Sequence, residues 1–472
     1  MSEPAAWDAL FVLHARSDPA RIGALVRRLR LDRILVLSSH LVFPHERAAF
    51  ADHAPSGVTF EFTTFAAQLD DASMAELDAA TTRALTARPP GLGRYTDHYE
   101  HRCRFLKNAL LLARLRAQHT WNHAWVDHGL GVHAPVWVAT GARYLSWRSL
   151  AARLRDLPVL GALAGLPNLW RLPRTATVVR DGEDAYVFIS TTRRLRFRPG
   201  TPSSTLPTGE ALSLPHRILV STTIHDHPVA VARLRAPVRV FADGYLPPNY
   251  PRSYIDAYGA ATFVSAEPLA ARWFAACARP VAPAPTFLIC PPFAPAIAPH
   301  AITTVVVLLG HAGDWTALVN RSDNDALVAA TLAVARLAPL FKFVLRPHPT
   351  MEHPRHEGSG ARARLAAHVA SAALPNVRFS TGDLATDLAA SELLVSEYSA
   401  TLIDSWRDGK LGVIANLTGR RSFMQEFAAL GFPSASTAEE LRAALFIAAA
   451  DPAAFADRQT TAATGYNALL AP

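Results

Sequence analysis

LLVSEYSATLIDSWRDGKLGVIA, residues Leu393–Ala415, decides the fold. It opens on an apolar run, breaks at the hydroxyl-rich Ser396-Glu397-Tyr398-Ser399, continues with Leu402, Ile403 and Trp406 at helical spacing, stops at Gly409-Lys410 and returns to an apolar run at Leu411. Ser399 stands where a helix N-cap belongs and Gly409 where a helix ends. Both flanking runs are continuously apolar, as in strands buried on two faces, and a strand–helix–strand crossover makes them parallel.

Working outward, the same alternation recurs. Strands are expected at Thr303–Leu309, Phe341–Leu345 and Val377–Phe379, and helices at Asn324–Ala338, Ala361–Ala373 and Leu384–Ala390. Together they describe a doubly wound α/β unit whose ligand crevice opens at the carboxyl ends of its strands. The first third has the same texture. Leu10–His14, Ile34–Ser38 and Val58–Phe62 read as strands, with the helical stretches PARIGALVRRLR and PHERAAFADH between them.

Between the two regular regions the pattern changes. Tyr144–Arg174 carries Trp147, Trp170 and several arginines around an apolar stretch broken by Pro158 and Pro167. It reads as a buried helical excursion, or else as a segment lying in a membrane interface. Thr175–Ser190 reads as a hairpin turning at Asp181-Gly182, Thr201–Leu214 as a loop, Arg217 onward and Val238–Phe241 as strands, and the proline-rich Ala282–Pro299 as an extended linker. The expected organisation is an N-terminal Rossmann-like domain over 1–290 with an insertion at 144–214, a C-terminal one over 291–455, and a tail over 456–472.

Composition fits a soluble protein with substantial buried volume. The chain has 472 residues, half of them hydrophobic and 18% charged, which excludes a disordered chain. Basic residues exceed acidic ones, 47 against 39, and only Lys107, Lys342 and Lys410 are lysines. Arginine forks suit phosphates and carboxylates. The arginines are dispersed and no nucleic-acid module is visible, so nucleic acid is not an expected partner. Cys103, Cys277 and Cys290 lack metal or disulfide spacing. His348, His353 and His356 lack helical spacing and a carboxylate companion, so no metal is expected. No glycine-rich dinucleotide or P-loop motif appears. The N-terminus lacks the features of a signal peptide and no apolar run reaches a membrane span, so a cytoplasmic location is expected.

Several short motifs lie at strand ends. Arg346-Pro347-His348-Pro349 follows a strand, and its two prolines hold the histidine in a rigid, non-helical loop. Ser396, Glu397, Ser399 and Thr401 sit at a strand-to-helix transition, where free backbone N–H groups and the helix dipole favour an anion; the plainer reading of Ser399 is a cap. Asp243-Gly244 ends the VRVF strand, where a general acid or base belongs, although Asp-Gly is also a common turn. Asp314 closes the Gly-containing loop after the first strand of the C-terminal unit. Asp127, in Asp127-His128-Gly129, is a further carboxylate of the same kind, set aside in favour of Asp243 because of its distance in sequence from the C-terminal motifs.

Asp-Gly, then His-Pro, then Ser-x-x-Ser before a helix, spread over residues 215–455, resembles the GT-B glycosyltransferases that use CMP-activated ulosonic acids, the β-Kdo transferases and polysialyltransferases. The resemblance implies an α/β fold of two Rossmann-like domains flanking a crevice. It also implies transfer of a ulosonic acid, Kdo foremost, from its CMP donor to a bacterial surface glycan. The donor is a substrate, and neither cofactor nor metal is implied. On this likeness Asp243 is the acid/base, Asp314 the nucleophile of a retaining double displacement, and His348 a catalytic donor to the leaving phosphate. Arg346, Pro349, Ser396, Glu397, Ser399 and Thr401 then bind the nucleotide, with Glu397 or Asp383 on the ribose. Ala242 stands where the family has its first acidic residue, so inversion with Asp243 as base is the open alternative. The N-terminal domain would bind the glycan or lipid-linked glycan acceptor, with peripheral membrane contact through 144–174. Ser396–Asp404 and Gly409-Lys410 also resemble the teichoic-acid polyol-phosphate transferases, and the architecture is shared by the non-hydrolysing sugar-nucleotide epimerases. A catalytically inactive scaffold is the remaining class.

Overall fold

The structure is a computed structural model. It describes residues 4–13, 17–70, 72–73, 75–77, 79–80, 83, 95–127, 134–145, 174–188, 195–222, 237–241, 262–276, 280–310, 321–351, 360–418 and 424–470.

The first 145 residues build a five-stranded parallel sheet from β1 (Ala5–Leu13), β2 (Arg33–Ser38), β3 (Thr59–Thr64), β4 (His119–Val126) and β5 (Arg143–Tyr144), in the order β3-β2-β1-β4-β5. Helices α1 (Pro19–Leu29), α2 (Pro44–His53), α3 (Tyr95–Gln118) and α4 (Ala134–Ala139) belong to this unit. Asp18 caps α1 by accepting from Ala20 N, and Pro19 follows it at the first helical position. The reversal of strand order between β1 and β4 is that of a doubly wound sheet.

A second sheet follows. The expected hairpin is present as β6 (Thr175–Asp181) and β7 (Asp184–Phe188), turning at Gly182 with φ of 61°. The stretch read as a loop at 201–214 instead supplies β8 (Ser203–Pro207), antiparallel to β6, and the helical turn α5 (Thr208–Ala211). β9 (Arg217–Thr222), β10 (Val238–Phe241) and β11 (Thr262–Val264) complete the order β11-β10-β9-β7-β6-β8. β6, β7 and β8 are therefore part of this sheet, which the parallel pairing of β7 with β9 joins to the later strands. Helix α6 (Pro268–Ala276) sends Phe274 into one cluster with Leu10 and Val12 of β1 and Phe263 of β11, which joins the two sheets. Most of 144–174 lies outside the described residues.

The third sheet matches the sequence reading closely. β12 (Thr304–Leu308), β13 (Lys342–Arg346), β14 (Val377–Phe379), β15 (Leu393–Ser396), β16 (Leu411–Ala415) and β17 (Ser434–Ala435) are all parallel, in the order β14-β13-β12-β15-β16-β17. The helices are α7 (Arg321–Leu337), α8 (Ala361–Ala372), α9 (Leu384–Ala390), α10 (Ala400–Arg407), α11 (Gln425–Ala429), α12 (Ala438–Ala450) and α13 (Pro452–Asn467). This is again a doubly wound order, so the chain contains two Rossmann-like α/β units. Gly412 of β16 lets α10 pack closely, since a Cβ there would stand 2.6 Å from Leu402 Cδ1 and 2.7 Å from Trp406 Nε1.

Residues 456–467 continue helix α13. Position 455 lies inside α13, and Tyr466 of that helix is fully buried, stacked on linker residue Phe293 at 4.2 Å between ring centroids. Its hydroxyl donates to Glu267 Oε1 at 2.8 Å, at the start of α6. Burial, ahead of its hydrogen bonds, pushes the Glu267 carboxyl up. Among the described residues no helix is long and apolar enough to cross a membrane.

Candidate functional site

The strand register of the third sheet brings the sequence motifs to one level. Leu308 pairs with Arg346 on one side and with Ser396 on the other, and Ser396 pairs with Ile414. With adjacent strands about 4.8 Å apart, Arg346 and Ser396 start loops two strands apart at the carboxyl end of the sheet. The reversal of strand order falls between β12 and β15, so the loops beginning at Gly310 and Glu397 flank the switch point.

Those two loops are in contact. A Cβ on Gly310 would lie 2.0 Å from Tyr398 Cε2 and 2.4 Å from its hydroxyl oxygen, so the tyrosine ring occupies the space that any other residue would fill. Gly310 is also held from the other side: its N–H donates to Asn324 Oδ1 at 2.8 Å and its carbonyl accepts from Asn324 Nδ2 at 3.2 Å. Neither Asn324 nor Tyr398 stands out in the sequence. The Gly310–His311–Ala312–Gly313 loop was the signal that could have pointed to both.

The serine loop is built from its own hydroxyls. Ser396 is fully buried; its Oγ donates to Leu308 O at 2.9 Å and accepts from Ser399 N at 3.2 Å, so it ties the end of β15 to β12 and shapes the turn. Ser399 is the N-cap of α10 and accepts from Thr401 N. Glu397 is buried and accepts from Thr418 Oγ1 at 3.5 Å, after β16. The first turn of α10 has no acidic residue, and a helix start favours an anion.

In the neighbouring loop, Arg346 Nη1 donates to Asp387 Oδ2 at 2.9 Å, to Ser380 Oγ at 3.2 Å and to Gly382 O. Asp387 is almost fully buried in the first turn of α9 and also accepts from Ser380 Oγ. The Arg346 charge is thus half of a partly buried ion pair that braces the loops after β13 and β14. His348 is half-buried, between buried Pro347 and exposed Pro349, and its carbonyl accepts from Met351 N at 2.9 Å in the 3₁₀ turn Pro349–Met351. Asp383 caps α9 by accepting from Thr386 N at 2.7 Å, the bond that, with the Thr386 hydroxyl, holds its carboxyl below the usual range. Lys410 donates to Ser391 O at 3.1 Å, at the amino-terminal ends of β15 and β16, and so lies away from the site.

Asp243 and Asp314 lie outside the described residues, just beyond β10 and Gly310. Asp127, at the carboxyl end of β4, accepts from Ser17 Oγ across the switch point of the first sheet. Among the described residues no cluster of three metal-ligating side chains occurs.

The sequence matches no family model and no curated protein. Solved structures similar to this chain include the sucrose-phosphate synthase of Thermosynechococcus elongatus, at 15% identity and a TM-score of 0.38 over 58% of this chain and 78% of that one. Another is the N-terminal domain of Candida albicans trehalose-6-phosphate phosphatase, at 8% identity and a TM-score of 0.35 over 100% and 98% of the two chains. A third is the UDP-GlcNAc 2-epimerase of Neisseria meningitidis, at 10% identity and a TM-score of 0.25 over 98% of each chain. At these TM-scores the likeness is too loose to bear on activity.

Proposed function

We propose that the protein is a glycosyltransferase of the GT-B architecture that moves a ulosonic acid from a CMP donor to a glycan acceptor. The observation that supports the reading is that the loops after β13, β12 and β15 start side by side at the carboxyl end of the third sheet, with those at Gly310 and Tyr398 in contact across the switch point. A nucleotide phosphate is the ligand that such a point suits, because the start of α10 offers backbone N–H groups and the positive end of a helix dipole.

In this reading the C2–O bond of the donor breaks and CMP leaves with the electron pair. The negative charge that develops on its phosphate is met by the Ser399–Thr401 helix start and by His348. Arg346 contributes by bracing the His348 loop through Asp387. Asp314 takes up the anomeric carbon as a covalent adduct, and Asp243 then removes the acceptor hydroxyl proton as that oxygen displaces Asp314 with net retention. The N-terminal Rossmann-like unit presents the acceptor, and no metal enters these steps.

A thermal-shift panel of CMP, CDP, UDP and GDP tests the reading. A ligand at a hundred times its Kd stabilises the folded state by about 2.7 kcal/mol, so CMP at that excess should raise the Tm clearly and UDP should not. A preference for UDP would favour an epimerase or another sugar class, a preference for CDP a polyol-phosphate transferase, and no response to any nucleotide would defeat the proposal.

A further inference from the structure

The segment that leaves β2 of the first sheet does not stay on its own unit. Leu41 is gripped at both ends of its peptide group by the third-sheet unit: its N–H donates to Asp325 Oδ2 at 2.8 Å, and its carbonyl accepts from Arg364 Nη1 at 3.1 Å. Asp325, near the start of α7, and Arg364, on α8, are themselves an ion pair, with side chains only 2% and 8% exposed. Arg364 also reaches Glu46 Oε2 at 3.4 Å, and that same oxygen accepts from Phe43 N at 2.9 Å. Phe43 is buried between the two units: its ring lies flat on His368 of α8, with centroids 3.6 Å apart and planes 8° apart, and under the Arg364 guanidinium at 4.8 Å.

Two features give this joint a meaning beyond adhesion. The residue before Asp325 is Asn324, which holds both polar groups of Gly310 at the switch point, so one turn of α7 grips the candidate nucleotide loop and the N-terminal unit together. The joint is also imperfectly satisfied. Among the described residues Arg364 Nε, His45 Nδ1 and His368 Nδ1 are buried with no hydrogen-bond partner, and each buried polar atom left unpaired costs free energy.

We infer that Asp325 and Arg364 are positioning residues that clamp the Leu41–Glu46 segment of the N-terminal unit and couple the spacing of the two Rossmann-like units to occupancy of the switch point at Gly310. The coupling to nucleotide rests on the proposed function, whereas the clamp does not. A nucleotide seated against Gly310 bears on Asn324, which holds both polar groups of that glycine, and so on the stretch of α7 that carries Asp325. An enzyme joining a donor on one unit to an acceptor on the other depends on that spacing, because a misplacement of about 1 Å costs on the order of a hundredfold in rate.

Hydrogen exchange on the full chain tests this, with CMP as the only added ligand. In the wild-type protein, peptides covering 39–46 should exchange slowly and more slowly still with saturating CMP, while strands β1 and β2 serve as the reference. Asp325→Asn keeps the side-chain shape but removes the charge-assisted grip, and should speed exchange at 39–46 by about tenfold or more. It should also abolish the added protection from CMP while leaving CMP affinity within about twofold, a dissociation of binding from coupling that a merely structural residue would not produce. If Asp325→Asn does not fold, Phe43→Leu replaces it with the same expectation. Unchanged exchange at 39–46 in the variant would overturn the clamp, and CMP protection that persists in the variant would overturn the coupling. A wild-type protein that does not bind CMP would defeat the proposed function and the coupling, and leave the clamp to be judged on basal exchange alone.

Discussion

Replacing Gly310 by alanine places one methyl group where the Tyr398 ring already stands. The new Cβ would meet three atoms of that ring at 2.0, 2.1 and 2.4 Å, far inside van der Waals contact, so the ring or the loop must move. Gly310 itself cannot retreat, because Asn324 holds its N–H and its carbonyl and the N–H of the preceding Leu309 donates to Arg346 O at 2.9 Å. Overpacking of this kind costs about 1–3 kcal/mol. Displacing Tyr398 also drags Ser399, whose N–H is tied to Ser396 Oγ. Gly310→Ala should therefore lower the urea midpoint and weaken CMP binding together. The informative measurement is the double-mutant cycle: Tyr398→Ala removes the obstructing ring, so Gly310→Ala should cost little in that background, with a coupling energy of about 1 kcal/mol or more. Equal costs of Gly310→Ala in the two backgrounds would refute the account of how the loops are packed.

Two further outcomes follow from the same contacts. Asp387→Ala leaves Arg346 partly buried without its carboxylate and should cost about 2–3 kcal/mol by chemical denaturation, below the full cost of breaking a buried pair because Arg346 is 22% exposed; an unchanged midpoint would show the pair to be idle. The clamp should make stability nearly flat with pH in mild acid. Burial pushes Asp325 up to about 6 from 3.8, against the pull of Arg364 and the Leu41 N–H and with the push of Glu46. This contribution is full below pH 3.8 and lost as pH rises through 6. Burial, with His45 and Arg364 beside it, lowers His368 to about 4 from 6.5, a contribution present above pH 6.5 and lost as pH falls towards 4. The opposing slopes, each at most about 1.4 kcal/mol per pH unit, cancel between pH 4 and 6. Asp325→Asn should make stability rise with pH in that window and His368→Gln should make it fall; parallel profiles for both variants would exclude the assignment.

The third sheet was legible because its strands are buried on both faces, so TVVVL and LGVIA announce themselves as unbroken apolar runs. β8 was not, because Ser203–Pro207 is a largely exposed strand at the sheet edge, ending in proline, and its partner β6 supplies the pattern it lacks. In the site, the helix start at Ser399 could be read from local rules, since a cap is made by neighbours in sequence. Ser396 could not. Its hydroxyl looks like a phosphate donor in the sequence, but β15 lies beside β12 and the terminal Leu308 carbonyl takes it. Arg346 is the same case: Asp387, the partner that neutralises it, arrives from α9. The clamp was equally invisible, since Leu41 and Asp325 meet across two domains and nothing in the intervening sequence encodes their approach.

The stacking of Tyr466 on Phe293 bears on how the molecule is made. While a ribosome is still extending the chain, Phe293 has already emerged, yet the ring that covers it is synthesised last among the helices of the third-sheet unit. Until then Phe293, Phe427 and Trp406 lack a wall of their cluster, and Glu267 lacks the hydroxyl that satisfies it. The nascent protein thus carries an unfinished apolar seam from the synthesis of Phe293 until Tyr466 has been made and has folded back onto it.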